Sequence, residues 1–221
     1  MRKLLLTTIL TGCMGASVAL AIPSSGLITI TGGNFEYSNG GEFTATVAGF
    51  PSFQTFCIEI QHEFSLGGTY DYTLGQDTHG APPAGAAPKL NLGTAWLYSQ
   101  FGRGAITITS TTQAGEFQAA LWYFQDQGVN PNGAFSGPGF LDGNPGNVYT
   151  DAAITALTGM GLDAMDASNG RFGTQIIESS SANGAPAQDW LQVPDGGTTV
   201  VLLGMGLMGL VLVSRRFAVA R

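Results

Sequence analysis

The chain has 221 residues, a net charge of −7, only 10% charged residues and 33 glycines. Five of its eight basic residues (Arg2, Lys3, Arg215, Arg216 and Arg221) sit at the two ends, leaving Lys89, Arg103 and Arg171 against fifteen Asp and Glu. A field of that sign repels nucleic acid and anionic headgroups, which excludes a nucleic-acid partner. The composition suits a loop-rich exported β protein better than a cytosolic enzyme.

Met1–Ala21 reads as a secretory signal peptide. Arg2-Lys3 is followed by an apolar run and by Ala19-Leu20-Ala21 as an A-x-A site, so signal peptidase is expected to cut after Ala21. A rival lies inside it: Leu10-Thr11-Gly12-Cys13 matches a lipobox, against which stands the apolar stretch Met14–Ala21. With the signal peptide removed, Cys57 is the one cysteine left, and an internal disulfide is excluded.

Residues 22–192 have room for a single core-bearing domain. Leu27–Thr31 and Phe35–Tyr37 read as short strands, and residues 34–48 as a hairpin turning at Asn39-Gly40-Gly41. Phe53–Phe64 alternates, with Phe56, Ile58 and Ile60 on one face and Cys57, Glu59, Gln61 and Glu63 on the other. Tyr70–Leu74 is a further strand and Asp77–Pro88 a loop. Leu90–Phe101 reads as a helix. Gln113–Gln125 is a stronger one, its stripe formed by Phe117, Ala120, Leu121 and Phe124, with Gln118, Trp122 and Gln125 on the neighbouring face. Asp126–Asn147 is a long loop, Tyr149–Leu162 a helix, and Phe172–Glu178 and Gln188–Val193 closing strands. Strands, then helices, then strands predict an α+β fold, a β-sandwich-like ectodomain with inserted helices.

Residues 193–221 form a tail of their own. Val193-Pro194-Asp195-Gly196-Gly197 leads into an apolar run over residues 198–214, closed by Arg215 and Arg216. As a helix that run is about 26 Å long, enough to cross a thin bilayer. The arginine pair sets the C-terminus on the cytoplasmic side. Motif, apolar helix and arginine cluster in this order resemble the PEP-CTERM class of bacterial sorting signals, in its Val-Pro-Asp-Ser-Gly variant, with Gly196 in the serine position. The resemblance implies an exosortase, a membrane-embedded cysteine protease-transpeptidase, as processing partner. An ordinary single-pass anchor is the plainer alternative, but it needs no Pro-Asp-Gly-Gly break before its helix.

Phe56-Cys57-Ile58-Glu59, Thr94–Tyr98 and Phe117-Gln118-Ala119-Ala120-Leu121-Trp122 resemble the thioester domains of bacterial surface proteins. The resemblance implies that Cys57 and Gln118 condense with loss of ammonia to an internal thioester, which then transfers to an amine or hydroxyl. The tail departs from the wall-sorting signal of the better-known members. Trp96, Trp122 and Phe56 are the expected shield against water. The plainer readings are a buried cysteine used as apolar filler and a solvated glutamine.

Other constellations are thinner. His62 and His79, with Asp71 and Asp77, lack metal-ligand spacing, and residues 142–147 resemble a calcium loop without its downstream Glu. No metal and no cofactor is expected. The sequence thus predicts a non-enzymatic exported protein of the cell surface or extracellular matrix, held at the inner membrane by its tail until processed. Its partners are signal peptidase, an exosortase and a surface polysaccharide or amine- or hydroxyl-bearing target. A secreted hydrolase with an acidic site, and a membrane-anchored scaffold without chemistry, are the alternatives.

Overall fold

A computed structural model describes residues 21–37, 40–60, 62–78, 89–126 and 147–193. The signal peptide and the tail from Pro194 onward, with its expected transmembrane helix, lie outside the described residues. The strands are β1 (Ser25–Tyr37), β2 (Gly40–Val47), β3 (Phe53–Thr55), β4 (Thr69–Gly75), β5 (Gln175–Ser180) and β6 (Trp190–Gln192). The helices are α1 (Leu92–Gly102), α2 (Thr111–Phe124) and α3 (Val148–Gly159).

The six strands form one antiparallel sheet in the order β3-β2-β1-β4-β5-β6, so the architecture is α+β with a single sheet rather than the two of a sandwich. The two edges meet. Past β3, Cys57 bridges Trp190 of β6, and Ile58 N–H donates to the Asp189 carbonyl at 3.2 Å. The Thr55 hydroxyl donates to Leu191 O (2.7 Å) and accepts from Leu191 N (3.1 Å), standing in for a strand neighbour. Closure of this kind satisfies edge groups that would otherwise pair with another chain.

Alternation along the strands builds two cores. Ile28, Ile30, Phe43, Ala45, Val47, Tyr70, Tyr72, Ile177 and Trp190 point into the rolled sheet, and Cys57 joins them. Phe56, Ile58, Ile176 and Leu191 point the other way, into a second cluster with α1, α2 and α3. The predicted stripe of α2 is all there: Phe117, Ala120, Leu121 and Phe124 are fully buried.

Three expectations are corrected. Leu27–Tyr37 is one strand, not two, because Gly33, Asn34 and Phe35 bulge opposite Glu42 alone. A side chain at Gly33 would collide with the Glu42 carbonyl, so the bulge requires glycine there. Phe53–Phe64 is not one long strand: ladder pairing stops at Thr55, and beyond Glu59 the alternation fails, since Ile60 packs with the inner cluster rather than beside Phe56 and Ile58. Helix ends also shift by one to three residues. Ser110 caps α2 by accepting from Gln113 N, so the helix begins at Thr111, two residues before the predicted start.

Candidate functional site

Cys57 lies where the chain leaves β3, on the seam that closes the sheet. Its neighbours Phe56 and Ile58 are drawn into the helical core, and extended geometry turns Cys57 inward. Gln118 is one residue off the apolar stripe of α2, which crosses the β1–β2 end of the sheet. Its side chain is nonetheless buried at 1% exposure, as Cys57 is at 2%. Gly40 makes the approach possible, because a Cβ there would stand 2.9 Å from both Gln118 Cγ and the Trp122 ring.

The two residues meet. Gln118 Oε1 accepts from Cys57 N–H and from Gly41 N–H, each at 3.2 Å, and Gln118 Nε2 donates to the Cys57 carbonyl at 2.6 Å. The carboxamide is therefore held against the backbone of the residue that carries the thiol. Two N–H groups converging on one carbonyl oxygen withdraw electron density from its carbon. They are also the arrangement that stabilises an oxyanion formed by attack there. Burial pushes the Cys57 thiol well above its ordinary value of 9.0, and the nearby Glu59 carboxylate raises it further. At neutral pH the sulfur thus keeps its proton.

The shield differs in part from the expected one. Trp122 shares the inner cluster with Cys57, whereas Trp96 and Phe56 belong to the helical core. Trp190, which the sequence does not single out, bridges Cys57 and stacks edge-on against Phe43 and Phe64, at ring-centroid distances of 5.3 and 4.5 Å. Its partnership spans more than 130 residues of chain, which no local pattern signals.

Elsewhere, His62 Nδ1 lies 2.8 Å from Glu59 Oε2, while Glu63 is exposed. Asp77 pairs with Lys89 at 3.1 Å on the surface. Asn147, read as the end of a calcium-like loop, caps α3 through Tyr149 N and Thr150 N. His79 and residues 142–146 lie outside the described residues. Among the described residues no three His, Cys, Asp or Glu side chains gather in a way that could hold a metal ion, nor does a helix have the length and apolarity to cross a membrane.

The chain leaves the fold through β6, whose last residue is Gln192. Residues 192–217 match the family model described as VPDSG-CTERM motif. The match supports a PEP-CTERM-type sorting signal, and with it export and processing by an exosortase. The motif residues expected from the sequence, Val193 to Gly197, and Arg215 and Arg216 all fall within the matched span. No curated protein and no solved structure matches the chain.

Proposed function

We propose that this is an exported structural or adhesive protein of the cell surface or extracellular matrix. It is sorted by an exosortase through Val193–Gly197 and attaches covalently through an internal thioester between Cys57 and Gln118. In forming the bond, Cys57 Sγ attacks Gln118 Cδ, the C–N bond breaks, and the thiol proton leaves with the amide nitrogen as ammonia. A target amine or hydroxyl then takes the acyl group and returns the thiol. Surface polysaccharide is the target this reading names.

The observation that carries it is the Gln118 carboxamide, clamped by both backbone groups of Cys57 and by Gly41 N–H. Burial of the pair keeps out the water that would hydrolyse the product. For the hydrolase alternative, one cleft among the described residues, lined by Tyr123, Ile154, Leu162 and Met165, carries the carboxylate of Asp163.

Intact mass tests the reading. The purified protein should weigh one ammonia less than its sequence from the observed N-terminus, and acid proteolysis should yield the Cys57 and Gln118 peptides joined. Methylamine should add once, at Gln118, and free the thiol. Cys57→Ala and Gln118→Ala should each abolish the mass loss. Because Cys57 is buried, a free thiol would also resist alkylation in the folded state, so mass is the deciding readout. A wild-type protein of full mass overturns the thioester.

A further inference from the structure

Condensation of a thiol with a carboxamide needs more than a polarised carbonyl. The sulfur must lose a proton, and the amide nitrogen must gain one to leave as ammonia. The groups that hold the Gln118 carboxamide are two backbone N–H groups and one backbone carbonyl, and none of them can serve as a general acid or base at neutral pH.

A group that can is two residues along. The chain bends at Ile58: Phe56 and Ile58 enter the helical core, Cys57 faces the inner cluster, and the Glu59 carboxylate that follows lies near enough to act on the Cys57 thiol through its charge. The Glu59 side chain is 1% exposed, and its Oε2 lies 2.8 Å from His62 Nδ1, on a ring that is 25% exposed. Gln188 Nε2 fixes the Glu59 carbonyl at 2.9 Å and so sets the backbone from which the side chain projects. Asp189, also buried at this seam, is turned to Ser179 N–H on β5. Glu59 and His62 thus form a buried carboxylate with an imidazole leading outward, beside a thiol whose interior site keeps it protonated. A buried carboxylate–imidazole pair contributes little to stability by itself, since desolvating it offsets the attraction.

We propose that Glu59 and His62 are the proton relay of the Cys57–Gln118 bond, an inference that rests on the reading that this bond forms. In the forward direction Glu59 takes the thiol proton, the thiolate adds to Gln118 Cδ, and the negative oxygen is held by Cys57 N–H and Gly41 N–H. The pair then returns the proton to Nε2, the C–N bond breaks and ammonia departs. No oxidant or further reactant is needed. When an amine opens the thioester the same relay runs backwards: the proton shed by the attacking nitrogen goes to the departing Cys57 sulfur.

The rate of opening by methylamine, followed as mass gain on the full-length protein, tests the relay. Glu59→Gln and His62→Ala should each slow opening by about a hundred- to ten-thousandfold. Glu59→Asp should retain part of the rate. Free imidazole should restore His62→Ala toward wild type, which a purely structural histidine would not allow. A folded Glu59→Gln protein that arrives at full mass also supports the relay, since it never formed the bond. Should Glu59→Gln fail to fold, the partly exposed His62 decides the matter through His62→Ala with and without imidazole. Opening rates within twofold of wild type in thioester-bearing variants, or a slowed His62→Ala that imidazole leaves unchanged, overturn the relay and leave the thioester standing. A full-mass wild type removes both.

Discussion

Gln118 on α2 and Gln125, which caps the C-terminal end of that helix, each grip a stretch of backbone in the same way. Gln118 accepts from Cys57 N–H and donates to Cys57 O, and Gln125 accepts from Asn91 N–H (2.8 Å) and donates to Lys89 O (3.2 Å). Each carboxamide thus supplies the pair of hydrogen bonds that an adjacent strand would. A glutamine clamp is therefore part of how α2 is fastened to the sheet and to the segment before α1. Gln118 clamps a residue that carries a thiol, and its oxygen also accepts from Gly41 N–H.

Gln125 serves as an internal control. Gln125→Ala leaves the buried Asn91 N–H without that acceptor and should destabilise the fold by about 1–3 kcal/mol, with the thioester mass deficit unchanged. Gln118→Glu keeps the shape but offers no ammonia to lose, so its mass should match its sequence. Denaturant melts and intact masses of both variants separate the clamp from the chemistry.

Gly40→Ala tests the approach of α2 to the β1–β2 end. The added methyl would stand 2.9 Å from Gln118 Cγ and from the Trp122 ring, tighter than side-chain contacts tolerate. The variant should lose about 1–3 kcal/mol through overpacking. It should also carry the thioester in a smaller fraction of molecules, because the displaced carboxamide leaves the Gly41 and Cys57 N–H groups. Wild-type stability together with a full mass deficit would show that the hairpin end does not position Gln118.

The legible parts of this fold are those whose cause is local. The stripe Phe117–Ala120–Leu121–Phe124 announces α2 because every member faces one core. The alternation from Phe56 to Ile58 is legible for the same reason. The break at Gly32-Gly33-Asn34 is misread because a bulge and a loop share the same residues, and only the partner strand tells them apart. Spacing does not announce the meeting of Cys57 with Gln118, since Gln118 departs from its helix's apolar stripe; only the resemblance pairs them. Trp190 and the closure of the sheet were out of reach, because they join chain positions that carry no shared local signal. Between Thr55 and Leu191 a hydroxyl replaces a strand partner, and nothing in a lone threonine announces that.

Glu42 gives the fold a pH dependence. Its side chain is buried on β2, and burial raises its carboxyl above the ordinary value of 4.5. Gln54, with its amide nitrogen turned to the strand, reaches Oε1 at 3.1 Å, while Oε2 is buried without a hydrogen bond among the described residues. A folded-state value above the unfolded one means that the native protein binds more protons. Stability therefore falls as pH rises from about 4.5 through the raised value. Glu42→Gln should melt about 2–4 °C higher than wild type at pH 7, and the gap should close below pH 4. A gap that widens on acidification would contradict desolvation as the cause.

The sorting signal begins where the fold ends. Val193 still packs beside Gly102 at the edge of the helical core, and Pro194 and Asp195 follow at once. If these two residues are read by an exosortase, Pro194→Ala with Asp195→Ala should leave the protein in the membrane fraction at its unprocessed C-terminal mass, while wild type loses the segment through Arg215 and Arg216. The double substitution leaves residues 198–214 and the arginine pair intact, so a simple anchor would treat mutant and wild type alike. It also lies beyond β6, so the clamp at Cys57 and the melting temperature of the folded body should not change. Fractionation, with mass spectrometry of the C-terminal peptide, reads the outcome. Equal processing of both proteins would mean that the tail is held by its hydrophobicity alone.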